Sequence, residues 1–215
     1  MAAASNTPPD RIETYIVEGD SAAGSSKDAK FSNQEILPLY GKMANVIAKR
    51  GAAKTNERVG GILRALGYDP MRPERPFRTG KVILLADADD DGDHISVLLM
   101  TVFWEIVPRL VTEGRLYLVD APLFEAVTAS GNRVMGSNLA MMTRDHGRLN
   151  RVNRMKGWGG CPIPLLRQFA FAPESRKLLK LNPPNAKEAR GLTALMGADA
   201  AARKDLLDVS AEGRR

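Results

Sequence analysis

A dense group of carboxylates is the strongest chemical signal in the sequence. Five aspartates fall within residues 87–93, directly after the apolar run 82–86. Like charges this close repel one another, so the group needs either full solvation in an exposed loop or a bound cation. On an extended backbone, the alternating Asp87, Asp89 and Asp91 would all point to one side. Ligands that are all oxygen favour a hard cation, and Mg²⁺ more than a transition metal.

A calcium-binding EF-hand loop is the main competing interpretation of this cluster. The first half of its pattern, Asp-x-Asp-x-Asp-Gly, matches residues 87–92. The loop also needs a bidentate glutamate at its twelfth position, where this chain has Leu98. It further needs a helix before it, whereas the sequence here predicts a strand. We therefore reject the EF-hand interpretation.

A second acidic pair, Glu18 and Asp20, follows another predicted strand far upstream. If the two strands are neighbours in one sheet, Glu18 and the later aspartates meet at its carboxyl edge, where open α/β sheets place their ligand sites. One glutamate and an Asp-x-Asp pair can together hold one or two Mg²⁺ ions. Metal ions held in this way polarise a phosphodiester and stabilise its attacking and leaving oxygens. Taken alone, Glu18 would be interpreted as an ordinary surface acid.

The elements that must position these carboxylates alternate between strands and helices. Short apolar or β-branched runs, typical of buried strands, occur at residues 14–17, 36–39, 82–86 and 116–119. Helical patterns occur at residues 42–50, 57–66 and 94–111, the last with apolar residues at i, i+3, i+4 and i+7 spacing. This order predicts an α/β fold with a parallel sheet and right-handed crossovers.

The pattern changes beyond about Glu125. Residues 128–153 lack clear periodicity, and residues 151–160 form a basic, glycine-rich stretch. Residues 178–181 and 186–196 look helical, so we expect a smaller, mostly helical C-terminal region.

Composition sets wider limits. With 31 Lys and Arg against 25 Asp and Glu, the formal net charge is +6, which weakly favours a polyanionic partner. The only cysteine is Cys161, which excludes an internal disulfide and a Cys-based zinc cage and is typical of a reducing compartment. No apolar run approaches the ~18 residues that span a bilayer, and the N-terminus lacks the pattern of a secretory signal. We expect no membrane partner.

Short motifs in a fixed order make the chain resemble a known family. The sequences EGDSA (residues 18–22) and DADDDGDHI (residues 87–95) resemble the Toprim domain of type IIA DNA topoisomerases, and most of all the B subunits of bacterial gyrase and topoisomerase IV. Supporting stretches occur in family order at residues 36–42, 122–124, 156–159, 173–176 and 195–197. The resemblance implies a Rossmann-like Toprim domain over residues 13–125 and an associated tail region over 126–209. Residues 1–12 would be a flexible lead and residues 210–215 a disordered tail.

The resemblance also implies a metal-dependent mechanism of DNA cleavage and religation. Glu18 and Asp87 would hold Mg²⁺ at the scissile phosphate, with Mn²⁺ or Ca²⁺ as substitutes, and Asp87 and Asp89 would share a second ion. Asp91 would act through water or as an outer ligand, and Glu18 would also handle a proton at the leaving sugar oxygen. Lys42 and Lys156 would contact phosphates.

The same resemblance implies partners. Double-stranded DNA would be the substrate, a separate A-type subunit would carry the nucleophilic tyrosine, and ATP hydrolysis would belong to another chain or domain. The chain alone would then neither hydrolyse ATP nor pass strands, and would be either a natural split subunit or part of a larger one. Its expected location is the bacterial cytoplasm, at the nucleoid or in a phage-infected cell.

Some positions depart from the family pattern, and two alternatives stay open. Tyr40 stands where lysine is usual, Trp158 where leucine is usual, and Asp120 and Ala121 where Gln-Pro is usual. One alternative is a stand-alone Toprim nuclease or primase-like enzyme. The other is a non-catalytic fragment that binds DNA or the partner protein, although its retained carboxylates would be unfavourable next to phosphate.

Overall fold

The computed structural model describes residues 6–41, 43, 45–48, 56–155 and 157–204. Its strands are β1 (Glu13–Glu18), β2 (Gln34–Leu39), β3 (Lys81–Leu85), β4 (Leu116–Val119), β5 (Phe124–Thr128), β6 (Arg133–Gly136), β7 (Leu149–Arg154) and β8 (Leu178–Lys180). The central sheet has the strand order β2-β1-β3-β4-β8. Strands β1 to β4 run parallel, and β8 is antiparallel to β4. The predicted α/β fold with a mainly parallel sheet is therefore confirmed.

Helices alternate with most of these strands along the chain. They are α1 (Asp20–Ala29), α2 (Glu57–Ala65), α3 (Asp90–Ile106), α4 (Pro108–Thr112), α5 (Leu139–His146), α6 (Ile163–Leu166) and α7 (Ala186–Met196). The helix predicted over residues 94–111 begins earlier, at Asp90, and is interrupted at Val107, because Pro108 has no N–H to continue it and starts a new helix. In the described part of the chain, no helix has the length and apolar character needed to cross a bilayer.

The central strands are buried on both faces, as their continuous apolar runs predict. Val82 and Leu84 of β3 pack into the cluster that contains α2 and α3, together with residues such as Phe103. Ile83 and Leu85 face the opposite cluster, which contains α1 and α6. This alternation fixes the register of β3, because a shift by one residue would exchange the two faces.

The region after Glu125 is organised differently from the sequence-based expectation. Strands β5, β6 and β7 form a separate antiparallel sheet in the order β6-β5-β7, which the weak periodicity of residues 128–153 did not predict. The helix predicted at residues 178–181 is wrong. Residues 178–180 form β8, because pairing with β4 overrides the helix propensity of leucine. The helix predicted over residues 186–196 is confirmed as α7.

Parts of some sequence predictions lie outside the described residues. These parts are residues 1–5 of the predicted lead, residues 205–209 of the tail region, the predicted tail 210–215, and residues 42, 44, 49 and 50 of the predicted helix 42–50. Within that last range, residues 46–48 form a turn.

A buried ion pair connects the C-terminal region to the amino edge of the sheet. Arg176 donates hydrogen bonds to both carboxylate oxygens of Glu13, at 2.5 and 2.6 Å, and to the hydroxyl of Tyr15. The side chains of Arg176 and Glu13 are 5% and 8% exposed. Gln34 and Lys81 also donate to the Glu13 carboxylate. These contacts attach the segment after α6 to the first three strands at the edge opposite Glu18.

Candidate functional site

The carboxyl edge of β1 and β3 carries the predicted acidic residues. These strands are parallel neighbours, and Val17 is in register with Leu85. Glu18 therefore lies level with Ala86, one residue before Asp87, on strands about 4.8 Å apart. One carboxylate oxygen of Glu18, Oε2, is buried. The structure thus places Glu18 and the Asp87 segment side by side, as the sequence required if the two strands were neighbours.

Asp87 is half-buried and fixed by the backbone of a distant segment. Its Oδ1 accepts a hydrogen bond of 2.8 Å from the backbone N–H of Trp158. Burial raises the pKa of the Asp87 carboxyl above its usual range, the negative charge of Asp89 adds to the rise, and the hydrogen bond from Trp158 opposes it. A cation bound at this carboxylate would relieve both the loss of solvation and the repulsion.

The expectation that Asp87, Asp89 and Asp91 alternate along an extended backbone is wrong. Asp89 is the N-cap of α3, and its side chain accepts the N–H of Gly92 at 2.8 Å. Asp91 lies in the first helical turn, so its side chain follows helical and not strand geometry. Acidic residues are favourable at a helix N-terminus, where backbone N–H groups give a partial positive charge. Helix capping therefore accounts for part of the acidic cluster.

Gly92 has a packing reason for being glycine. A Cβ atom at this position would lie 2.1 Å from the backbone oxygen of Asp87. The first turn of α3 can therefore pack against the end of β3 only without a side chain there. This contact explains the glycine that the sequence shares with calcium-binding loops.

An open cleft of about 260 Å³ lies beside the ends of β3 and β4. Asp87 and Asp89 line it, together with Asp120 and Arg154, whereas Glu18 and Asp91 are not among its lining residues. Arg154, at the end of β7, is exposed. Sequence analysis did not single out Asp120 or Arg154 as site residues. The basic, glycine-rich character of residues 151–160 was the signal that could have pointed to Arg154.

The carboxylate oxygens at this edge are the kind of donor that suits an Mg²⁺ ion only partly enclosed by protein. Across the described ranges, no group of three or more His, Cys, Asp and Glu side chains is arranged to hold a metal ion. A complete protein cage is not required, because Mg²⁺ usually keeps several waters and binds one or two carboxylates plus substrate phosphates. Lys42 and Lys156, the predicted phosphate contacts, lie outside the described residues.

Comparisons with known proteins show one family match and several similar proteins. The Toprim domain model matches residues 13–120, which include β1 to β4 and all the predicted acidic residues. The chain is 36% identical to the B subunit of DNA gyrase from Treponema denticola, over 98% of this chain and 34% of that protein. It is 32% identical to the gyrase B subunit of Thermotoga maritima, over 97% of this chain and 34% of that protein.

A topoisomerase IV protein is similarly related. The B subunit of DNA topoisomerase 4 from Rickettsia felis is 35% identical, over 84% of this chain and 29% of that protein. The chain thus spans about a third of the length of these curated relatives, and the similarity continues past the Toprim match into the C-terminal region. Together, the domain match, the parallel sheet and the acidic carboxyl edge show that the chain belongs to the Toprim domain family.

Proposed function

We propose that this chain is the Mg²⁺-dependent DNA cleavage and religation component of a type IIA DNA topoisomerase. It would supply the metal site to a partner protein that carries the nucleophilic tyrosine, with ATP hydrolysis on a separate chain or domain. The observation that carries the proposal is that Glu18 and the segment that begins at Asp87 follow adjacent parallel strand ends, in a chain similar to gyrase and topoisomerase IV B subunits over most of its length. The proposed activity belongs in the bacterial cytoplasm, where its DNA substrate lies.

The proposed roles of the acidic residues are those that the family resemblance implies. Glu18 and Asp87 would bind the ion at the scissile phosphate, and Asp87 and Asp89, which both line the cleft, would share a second ion. Bound Mg²⁺ would polarise the phosphodiester and offset the negative charge that develops on its oxygens. Glu18 would also hold a proton near the leaving sugar oxygen. Asp91, in the first turn of α3, would act through water or as an outer ligand.

Cationic residues would hold the DNA backbone. Arg154 lines the cleft beside the carboxylates, and its guanidinium can donate two parallel hydrogen bonds to a phosphate. Lys42 and Lys156 would have the phosphate-contacting roles that the family resemblance implies.

DNA binding by the chain is expected to weaken steeply with salt, because phosphate contacts release counterions. Replacing Arg154 with alanine should lower the affinity for DNA of any sequence. It should also reduce, by about one, the slope of the logarithm of the binding constant against the logarithm of the salt concentration. Fluorescence anisotropy with a labelled duplex at several salt concentrations measures both effects. The control is Arg144→Ala, because Arg144 is 70% exposed and pairs with Asp145. A flat salt response, or equal slopes for both variants, would contradict the prediction.

Mg²⁺ affinity is expected to be modest in the absence of DNA, because an ion of this kind takes part of its ligand set from substrate phosphates. Isothermal titration of the chain with Mg²⁺, with and without a duplex, measures this dependence. A tight site in the chain alone would count against the proposal.

The decisive experiment separates the proposed function from a stand-alone nuclease. The tagged chain is purified from its source with any tyrosine-bearing partner, then incubated with supercoiled plasmid and Mg²⁺ and stopped with detergent. We expect protein-linked breaks with the complex and none with the chain alone. Tyr40 follows β2 at the same edge and is 57% exposed. Because the proposed nucleophile is the partner's tyrosine, Tyr40→Phe should not reduce the amount of protein-linked breaks. Free-ended nicking by the chain alone would support the nuclease alternative instead.

A further inference from the structure

The segment around Trp158 connects the C-terminal region to the acidic edge. The backbone N–H of Trp158 donates to Oδ1 of Asp87, and its indole N–H donates to the backbone oxygen of Ala86, both at 2.8 Å. The Trp158 side chain is fully buried and packs in the same cluster as Leu85 and Phe171. One residue thus makes hydrogen bonds to two consecutive residues at the end of β3.

The glycines on either side of Trp158 allow this close approach. Gly157 has φ of +115°, and a Cβ there would lie 2.3 Å from Oδ2 of Asp87. A Cβ on Gly159 would lie 2.7 Å from the hydroxyl oxygen of Ser21. On the α1 side, the hydroxyl of Ser25 donates to the backbone oxygen of Gly159 at 3.3 Å. The segment is therefore held between the end of β3 and the first turns of α1.

We propose that Trp158 is a positioning residue for the metal-binding carboxylate of Asp87, with Gly157 as the backbone position that makes the contact possible. The backbone bond to Oδ1 fixes the rotamer of Asp87, and the indole bond fixes the strand end that carries it. A leucine at this position would have no side-chain donor, so the bond to Ala86 depends on the indole of Trp158. This inference rests on the proposed function, because it assigns a role toward the ion that Asp87 would bind.

The geometry explains why such support matters. The Asp87 carboxylate, two residues beyond the last residue of β3, can rotate about two side-chain torsions. Hydrogen bonds from neighbouring residues orient metal ligands, and their loss commonly costs about 10- to 100-fold in metal affinity. Here Oδ1 of Asp87 accepts the Trp158 N–H, and Oδ2 would be the oxygen that binds the cation.

The first test uses Mn²⁺ as the probe, with free Mn²⁺ measured by electron paramagnetic resonance in titrations of the whole chain. Gly157→Ala should weaken Mn²⁺ binding about tenfold or more, because its methyl group would displace the Asp87 carboxylate. The matched control is Gly131→Ala, since Gly131 also has a positive φ, +86°, but no atom within 4 Å of an added Cβ. The control shares the backbone strain without the clash, so it should bind Mn²⁺ as the unmodified chain does.

The second variant, Trp158→Phe, keeps the backbone N–H and most of the buried volume and removes only the indole donor. It should weaken Mn²⁺ binding about twofold to tenfold, the range expected for one hydrogen bond. Tb³⁺ luminescence excited through tryptophan reports separately where the ion binds, because the signal requires a tryptophan close to the ion. Trp104 is fourteen residues beyond Asp90 on α3, about 21 Å along the helix axis, which is far from the proposed site. Trp104→Phe should therefore retain the Tb³⁺ signal. Trp158→Phe should lose it.

The outcomes separate this inference from the proposed function. If the unmodified chain binds Mn²⁺ and both Gly157→Ala and Trp158→Phe bind it equally well, the positioning role is wrong and the metal site stands. If Asp87→Asn binds Mn²⁺ and Tb³⁺ as the unmodified chain does, the assigned site fails and the positioning role fails with it. Weaker binding by both variants, with an unaffected Gly131→Ala, supports the inference.

Discussion

Replacing Asp87 with asparagine is expected to lower Mg²⁺-dependent DNA cleavage by the proposed complex of this chain with a tyrosine-bearing partner at least about a hundredfold. That magnitude is typical when one group that stabilises a charged transition state is removed. Asparagine keeps an oxygen that can accept the Trp158 N–H, so the substitution removes the charge without removing the hydrogen bond. Detergent-trapped cleavage of a supercoiled plasmid, followed over time, measures the rate.

A neighbouring aspartate provides the control for this experiment. Asp93 lines the same cleft as Asp87 and is exposed, but it is not among the proposed ligands. Asp93→Asn removes the same charge from the same cleft, so general changes in DNA attraction affect both variants alike. We expect Asp93→Asn to cleave at close to the unmodified rate. Unchanged cleavage by Asp87→Asn would refute the site assignment and favour a role in binding alone.

Replacing Arg176 with methionine is expected to destabilise the fold by about 3–5 kcal/mol, the usual effect of removing one partner of a buried ion pair. The loss is large because Glu13, which is 8% exposed, would keep a buried charge without its main partner. Urea denaturation of the variant and the unmodified chain at neutral pH measures the difference. Lys81→Met is the matched control, because Lys81 also binds Glu13 but is 43% exposed, and such pairs contribute about 0–1 kcal/mol.

The same ion pair predicts a specific dependence of stability on pH. Burial raises the pKa of Glu13, but the hydrogen bonds from Arg176, Gln34 and Lys81 and the charge of Arg176 outweigh it, and the pKa falls from 4.5 to about 2. Because the folded pKa is lower than the unfolded one, this stabilisation is complete above about pH 4.5 and is lost as the pH falls toward 2. Its size is about 3 kcal/mol. In Arg176→Met this part of the pH dependence should disappear, and an unchanged acid profile would contradict the assignment.

Local pattern was sufficient to predict the parallel strands of the central sheet. Residues 14–17, 82–86 and 116–119 lie in or overlap β1, β3 and β4, because continuous apolar runs of that length bury best as strands covered on both faces. The alternation of these strands with helices predicted that they run parallel. The position of the acidic cluster at the carboxyl end of β3 was predicted for the same reason, since it follows directly from where the strand ends.

Pattern failed where tertiary pairing overrides local preference. Leucines at 178 and 179 suggest a helix, yet they form β8 because β4 offers a free edge with which to pair. Residues 128–153 have too little periodicity to reveal the sheet of β5, β6 and β7. Likewise, Asp91 was expected on an extended backbone. It lies instead in the first turn of α3, which begins at Asp90 and is capped by Asp89.

The sequence by itself determined the parallel sheet, the acidic edge and the kind of ion that its oxygens suit. Only the tertiary structure decided which distant residues support that edge. The contact between Trp158 and Asp87 joins residues 71 positions apart, and that between Arg176 and Glu13 joins residues 163 apart. Periodicity reports which face of an element is buried, but not which residue of another element will meet it. Such partners are chosen by packing and by the need to pair buried polar groups.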